Sequence, residues 1–228
     1  MTRLHLESIT DQVRDLIVQD IEDGKFAPGE RIYEDKLAKE LGISKTPLRL
    51  AIHQLREAGI LRVEPRQGIY VAQPTMQEVM ELAEAREVLE GLAARRAAAG
   101  TNPELVQELK DCFAGFDEDG LDDKRTAYAA ADHKFHQLLA RASGSSELIQ
   151  MLNIINLRLH MNQMRTTVMH QHNLVPTHRG HMSIIDAIEA GDGERAEAST
   201  RAHVRGVPWQ AAFGDKAPDE VGLAEEPH

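Results

Sequence analysis

Four residues in the second half of the chain could hold one metal ion. Asp132 and His136 stand four apart in AADHKFHQLLARASG, so a helix carries both on one face. His181 lies farther on, ahead of Ile184, Ile185 and Ile188 at helical offsets, and His203 follows 22 residues after it. One carboxylate oxygen and three imidazole nitrogens suit a first-row divalent ion such as zinc, nickel or manganese. The spacing leaves two other readings open, a hydrogen-bonded core histidine and a surface Asp–His pair. With 11 histidines in the chain, one Asp/His pair at this spacing is not surprising.

A second set, in the first half, suits nucleic acid. Lys45 and Arg49 share one face at the start of a helix, and Arg62 and Arg66 flank a short hairpin. Residues 45–68 hold five basic and two acidic side chains. A helical domain with a solvated charged face has similar composition. The order of elements separates the two readings. Tyr33 to Leu41 reads as a short helix ended by Gly42, and Ser44 as the cap of a second helix that has Pro47 in its first turn and runs to about Ala58. Ile60–Val63 and Ile69–Val71 flank Glu64-Pro65-Arg66-Gln67-Gly68 as a β-hairpin. Two helices joined by a glycine turn and followed by a basic hairpin form a winged helix-turn-helix, whose second helix enters the major groove by its N-terminal end.

The remaining elements position these two sets. Residues 6–23 read as an amphipathic helix with Ile9, Val13, Leu16, Ile17 and Ile21 in one stripe, capped by Ser8 or Thr10, which packs on the two following helices. Gln73-Pro74-Thr75 marks a boundary, with Thr75 and Glu78 spaced as a capping box. Beyond it the pattern is helical: 75–99, 103–116, 122–142, 145–170, 174–190 and 193–212. Residues 213–228 are acidic and patternless and read as a mobile tail. The expected fold is mainly α: a winged domain over 1–73, an all-α bundle of about six helices over 74–212, and the tail. The four methionines Met151, Met161, Met164 and Met169 read as adaptable core, and Trp209 as a packing residue.

Composition restricts the function. The net charge is −11, yet residues 1–73 hold 11 basic and 12 acidic side chains, while the rest carries a net −10. A near-neutral reader with one basic face can still bind phosphates, because those contacts are local. The single cysteine, Cys112, suits a reducing cytoplasm, and no run of 18 apolar residues or secretory segment is present.

PGERI, LAKELGISKTPLRLAIHQLREAGIL and RQGIYV resemble the DNA-binding domain of the GntR family of bacterial regulators. That resemblance implies base contacts from Lys45 and Arg49 and phosphate contacts from Ser44 and Thr46. It also implies a wing tip of Arg66, Gln67 and Gly68 that approaches the minor groove, and Arg31 is expected near the backbone. The family usually has Arg where this chain has Asp35 and Lys45. EAREVLEGLAARRAA, DHKFHQLLARASGS, HMSIIDAIEAGDGERAE and RAHV resemble the FCD ligand-binding domain of the FadR branch. By that resemblance Asp132, His136, His181 and His203 bind a divalent metal, zinc first, in preference to His133 or His178.

Arg86 also matches a family position. It reads either as an intrahelical partner of Glu90 or as a guanidinium that holds an effector carboxylate. Asn153, Asn156 and Arg158 are further polar candidates on the long helix. The expected function is a homodimeric, cytoplasmic, ligand-responsive regulator that binds a palindromic operator, a repressor released by a small organic acid near the metal. The alternative is a metal-dependent enzyme with the winged domain as a partner-binding module. No second carboxylate is placed as a general base beside the metal, and no G-x-S-x-G or H-E-x-x-H motif occurs, so the chain is expected not to be an enzyme.

Overall fold

A computed structural model describes residues 9–100, 102–165 and 174–213, with the side chains of all of these except 122, 162–165 and 207–213. Ser8, residues 166–170 of the expected long helix, the tail beyond 213, and the side chains of Met164, Met169 and Trp209 lie outside the described residues. The described chain parts into two compact units. One takes the residues up to Pro74 together with His160–Arg165, the other Thr75–Leu159 and the rest.

In the first unit, α1 (Ile9–Glu22) buries Val13, Ile17 and Ile21 and packs on α3 (Lys45–Glu57). Ile9 and Leu16, expected in the same stripe, stay exposed, and Thr10 is already helical. α2 (Glu34–Leu41) buries Leu37 and Ala38 and ends at Gly42, whose φ of 64° is the left-handed turn that glycine adopts without strain. α3 buries Leu48, Ala51, Ile52 and Leu55. Ser44 holds the cap position, but its side chain makes no capping bond, contrary to the sequence reading. Pro47 occupies the third helical position, where a cap hydroxyl would seek an N–H, and proline has none.

The wing is larger than the expected hairpin. β2 (Leu61–Glu64) and β3 (Gly68–Val71) pair antiparallel, with Glu64 opposite Gly68. A further strand, β1 (Arg31–Ile32), pairs with the other edge of β3, placing Arg31 opposite Tyr70. Two residues are too short for a periodic signal. The pairing is continued just before the strand by two more bonds: Gly29 N–H donates to the Val71 carbonyl at 3.0 Å and Val71 N–H to the Glu30 carbonyl at 2.9 Å.

In the second unit, α4 (Met76–Ala99) starts at the expected capping box. Glu78 N–H donates to Thr75 Oγ1 at 3.2 Å, and Thr75 N–H donates to Glu78 Oε2 at 2.8 Å. Ala93, Ala94, Ala97 and Ala98 are buried on α4, and their small side chains allow close approach by α8 (Val175–Glu189) and α9 (Gly193–Phe213). α5 (Pro103–Asp111) is capped by Asn102 and ends five residues before the expected 116. The early stop frees Phe113 to turn into the core. A 3-10 turn at Leu121–Lys124 leads into α6 (Arg125–Ala142), and α7 (Ser146–Arg165) follows. Phe113, Tyr128, Phe135, Leu139, Ile184 and Ile188 share one buried cluster, each such side chain contributing about 1.5–3 kcal/mol by burial. That cluster forms the floor of the site described next.

Candidate metal centre and nucleic-acid interface

α6, α8 and α9 bring the four expected ligands together. Asp132 and His136 lie one turn apart on α6, His181 is on α8 and His203 on α9. One ligand atom from each lies within 4.8 Å of the other three, and the three histidines are buried. Asp132 Oδ1 is 3.1 Å from His181 Nε2 and 3.8 Å from His136 Nε2. His181 Nε2 has no aligned hydrogen-bond partner despite that short separation. A buried nitrogen so placed, facing a carboxylate and two more imidazoles, fits the coordination sphere of a divalent ion.

The atoms behind the ligands decide which nitrogen faces inward. Tyr128 Oη lies 2.9 Å from His181 Nδ1 and 3.5 Å from His178 Nδ1. If His181 Nδ1–H donates to Tyr128, the tyrosine hydroxyl can donate on to His178, and His181 Nε2 keeps its lone pair for a metal. Burial, then the nearby Asp132 charge, pushes the Tyr128 hydroxyl well above its usual range, so it stays protonated. His136 Nδ1 is 2.8 Å from Glu90 Oε2, at ion-pair distance though off the line of an ideal hydrogen bond. Glu90 Oε1 in turn accepts from Arg86 Nε at 2.8 Å. Burial opposes the Glu90 charge, but Arg86 and His136 hold its carboxyl down at about 2. His203 is seated by Gly180, where an added Cβ would lie 2.7 Å from His203 Nδ1.

The charge states suit ligation at neutral pH. Burial pulls His181 down to about 4, against the opposing pull of Asp132, and burial together with the neighbouring histidines takes His203 well below its ordinary value. Both rings are therefore neutral at pH 7. Burial also works against the Asp132 charge, yet the His181 contact, with His136 and Arg86 nearby, holds its carboxyl far below the usual range.

Sequence reasoning missed Glu90 and Tyr128: Glu90 is a second carboxylate close to the ligands, but it stands behind His136 and is held by Arg86. Glu90 was visible only as a helical partner for Arg86, and that pairing is real, but it takes place inside the site. Gly180 carried a weak signal, a helical glycine directly before His181. Asn153, expected to face inward, is exposed, because Leu152, Ile155 and Asn156 take the inner face of α7. Asn156 is buried with neither amide atom hydrogen-bonded. Arg158 donates to Glu78 Oε1 at 3.2 Å.

In the first unit, Arg31, Lys45, Arg49 and Gly68 line one open groove of about 370 Å³ together with Glu34 and Asp35. Ser44, Thr46, Arg66 and Gln67 are exposed but do not line it. Lys45 is ion-paired with Asp35, and Arg49 Nε donates to Glu34 Oε1 at 2.8 Å. Arg31 lies over the Tyr33 ring at 5.1 Å. A Cβ at Gly68 would come within 2.8 Å of Arg31 Nε, so the glycine makes room for that guanidinium as well as shaping the wing.

Residues 9–71 match the description "Bacterial regulatory proteins, gntR family", and residues 81–206, more than half the chain, match the FCD domain. The protein named "Probable D-xylose utilization operon transcriptional repressor" of Paenarthrobacter nicotinovorans is 31% identical over 205 residues, covering 89% of this chain and 88% of that one. The chain belongs to the GntR family and carries an FCD domain. The HTH-type transcriptional repressor RspR of Escherichia coli K12 is 26% identical, with 88% of each chain covered. Two solved structures share the fold. A GntR transcriptional regulator from Rhodococcus sp. RHA1 has a TM-score of 0.71 at 23% identity, over 92% of this chain and all of that one. Escherichia coli McbR/YncC has a TM-score of 0.71 at 20% identity, over 91% and 100%. This GntR protein is therefore a ligand-responsive, DNA-binding transcriptional regulator and not an enzyme. FCD domains are associated with metal binding, in keeping with the Asp/His cluster here, and no helix among the described residues is long and apolar enough to cross a membrane.

Proposed function

We propose that this protein is a cytoplasmic homodimeric repressor whose operator affinity falls when a small organic acid enters the Asp132/His136/His181/His203 site. The observation that carries this reading is the ligand cluster backed by Glu90 and Tyr128, which stand behind His136 and His181 on the side away from the other ligands. Zinc fits the three-nitrogen, one-oxygen donor set, with nickel or manganese as alternatives. A bound ion would supply a positive centre for a carboxylate. The chain's own contribution is Arg86, whose Nε is held by Glu90. Its two terminal nitrogens remain to grip the acid as a fork. Asn156, with its unbonded amide, is a further polar group offered to the effector.

At the other end, Lys45 and Arg49 read bases in the major groove, with Ser44, Thr46 and Arg31 on phosphates. Arg66, Gln67 and Gly68 approach the minor groove. A dimer sets two such readers on a palindrome. The acid must favour one dimer arrangement over the other, since equal affinity for both would shift nothing. Two relatives named as repressors support the sign of the response.

The test is selection of bound duplexes from a random pool at about 0.15 M salt, with and without EDTA, followed by release with a panel of carboxylic acids. The expected result is a palindrome released by at least one acid only when metal is present. Acid release that survives EDTA would remove the metal from the effector site. A melting temperature lowered by EDTA with acid release unchanged would make the metal purely structural.

A further inference from the structure

The acids beside the two base-reading cations occupy different environments. Glu34, the first residue of α2, has a side chain only 22% exposed against Arg49. Asp35, the next residue, has a side chain 81% exposed against Lys45, itself the first residue of α3. Both acids line the groove that contains Lys45 and Arg49. An ion pair this exposed contributes little to stability, and an acid in a phosphate-binding groove opposes binding. Asp35 also lies in the first turn of α2, where an acid favours the helix N-terminus, but that role leaves its position against Lys45 in the groove unexplained. What the pair does present to a DNA duplex is an ammonium donor and a carboxylate acceptor side by side, at the end of the helix that enters the major groove.

One base-pair edge complements that order. A G·C pair displays the guanine N7 and O6 acceptors next to the cytosine N4 amino donor. Lys45 has three N–H donors and spends one on Asp35 Oδ1, which leaves Oδ2 to accept. Lys45 is a flexible point charge without a fixed fork, so it needs a second group to give it direction. Contact with Lys45 also holds the Asp35 carboxyl below its ordinary range, which keeps it an acceptor.

We propose that Asp35 is a specificity-determining residue: together with Lys45 it reads one G·C pair in each half-site, Lys45 donating to guanine and Asp35 accepting from cytosine N4. Arg49 reads a neighbouring position, with Glu34 serving as its anchor and not as a reader.

Duplex selection with the full-length, zinc-loaded protein tests this, comparing wild type with Asp35→Ala and Asp35→Asn. The expected result is one G·C position per half-site whose preference, roughly 5- to 150-fold in wild type, collapses in Asp35→Ala. The other positions should keep theirs. Asp35→Asn, which can donate as well as accept, should relax the same position. An unchanged sequence preference in Asp35→Ala, with tighter binding to every duplex and a steeper salt dependence, would overturn the proposal and leave Asp35 as a repulsive charge. A uniform loss of affinity with the same preference would overturn it too, by making Asp35 structural. No enriched sequence from wild type would overturn it together with base reading by α3, so that failure is distinct from the first two.

Discussion

Glu90 joins Arg86 to His136: one carboxylate oxygen lies 2.8 Å from the guanidinium Nε and the other 2.8 Å from His136 Nδ1. A carboxylate behind a ligating histidine fixes its ring and tautomer, and losing one typically costs about 10–100-fold in metal affinity. Glu90→Gln, close in size, should weaken zinc binding by about that factor in a chelator-competition titration. Equal affinity in the variant would show that Glu90 serves Arg86 alone.

Gly180→Ala should weaken zinc binding without touching any ligand. The new Cβ would lie 2.7 Å from His203 Nδ1, so either the ring or the α8 backbone must move. Alanine is the better helix former by about 1 kcal/mol, so a loss of zinc affinity with little loss of helicity would locate the effect at His203. Unaltered affinity would mean that the ring turns aside at no cost.

His181→Ala combined with His203→Ala should abolish metal binding and leave the winged unit folded, as read by the bound-metal ratio and circular dichroism. Full occupancy in that double variant would exclude the proposed ligand set.

The metal-free protein should lose stability on mild acidification. His181 titrates near 4 when folded and near its ordinary 6.5 when unfolded, because burial resists its charge. Between those values the unfolded chain binds more protons, so stability falls as the pH drops from 6.5 toward 4. The contribution is about 3 kcal/mol at most. His181→Phe removes it, and Phe113, stacked on His181 at 4.5 Å, and Phe135 provide an aromatic setting for the new ring. Melting temperatures from pH 7 to pH 4.5 should fall less steeply in the variant than in the wild type; parallel slopes would assign the acid sensitivity elsewhere.

Arg49→Ala should weaken operator binding by about 1–3 kcal/mol, measured against a selected duplex, with effector affinity unchanged. Removing the cation also leaves Glu34 unpaired in the groove, so Arg49→Ala with Glu34→Gln should recover part of the loss. Equal affinity for Arg49→Ala and wild type would remove Arg49 from the base-reading set.

What could be read from the sequence was whatever repeats or punctuates. The Leu48–Ala51–Ile52–Leu55 face, the Gly42 turn and the Thr75–Glu78 capping box are local patterns, and the fold contains them. Asp132, His136, His181 and His203 were found by residue type, helical spacing and family resemblance, and three helices bring them together. Partnerships across the fold left no pattern. β1 is two residues long and exists only because β3 offers an edge. Tyr128 and Glu90 matter through atoms on other helices, and nothing in the residues adjacent to them announces those contacts. Ser44 shows the converse: a good local signal whose side chain makes no cap bond, with Pro47 three residues on offering no N–H.

α4 has a mechanical consequence. It is capped by Thr75, the first residue of the second unit, and carries Arg86 and Glu90 along the same uninterrupted helix. Eleven residues of helix separate Thr75 from Arg86, roughly 16 Å at 1.5 Å per residue. A helix clamped at its start by a reciprocal cap resists fraying there, so it moves as a rod. The Glu78 carboxylate that completes the cap also receives Arg158 from α7, which braces the same end. Within this second unit, a shift of Glu90 would thus be felt along α4 as far as its Thr75 cap.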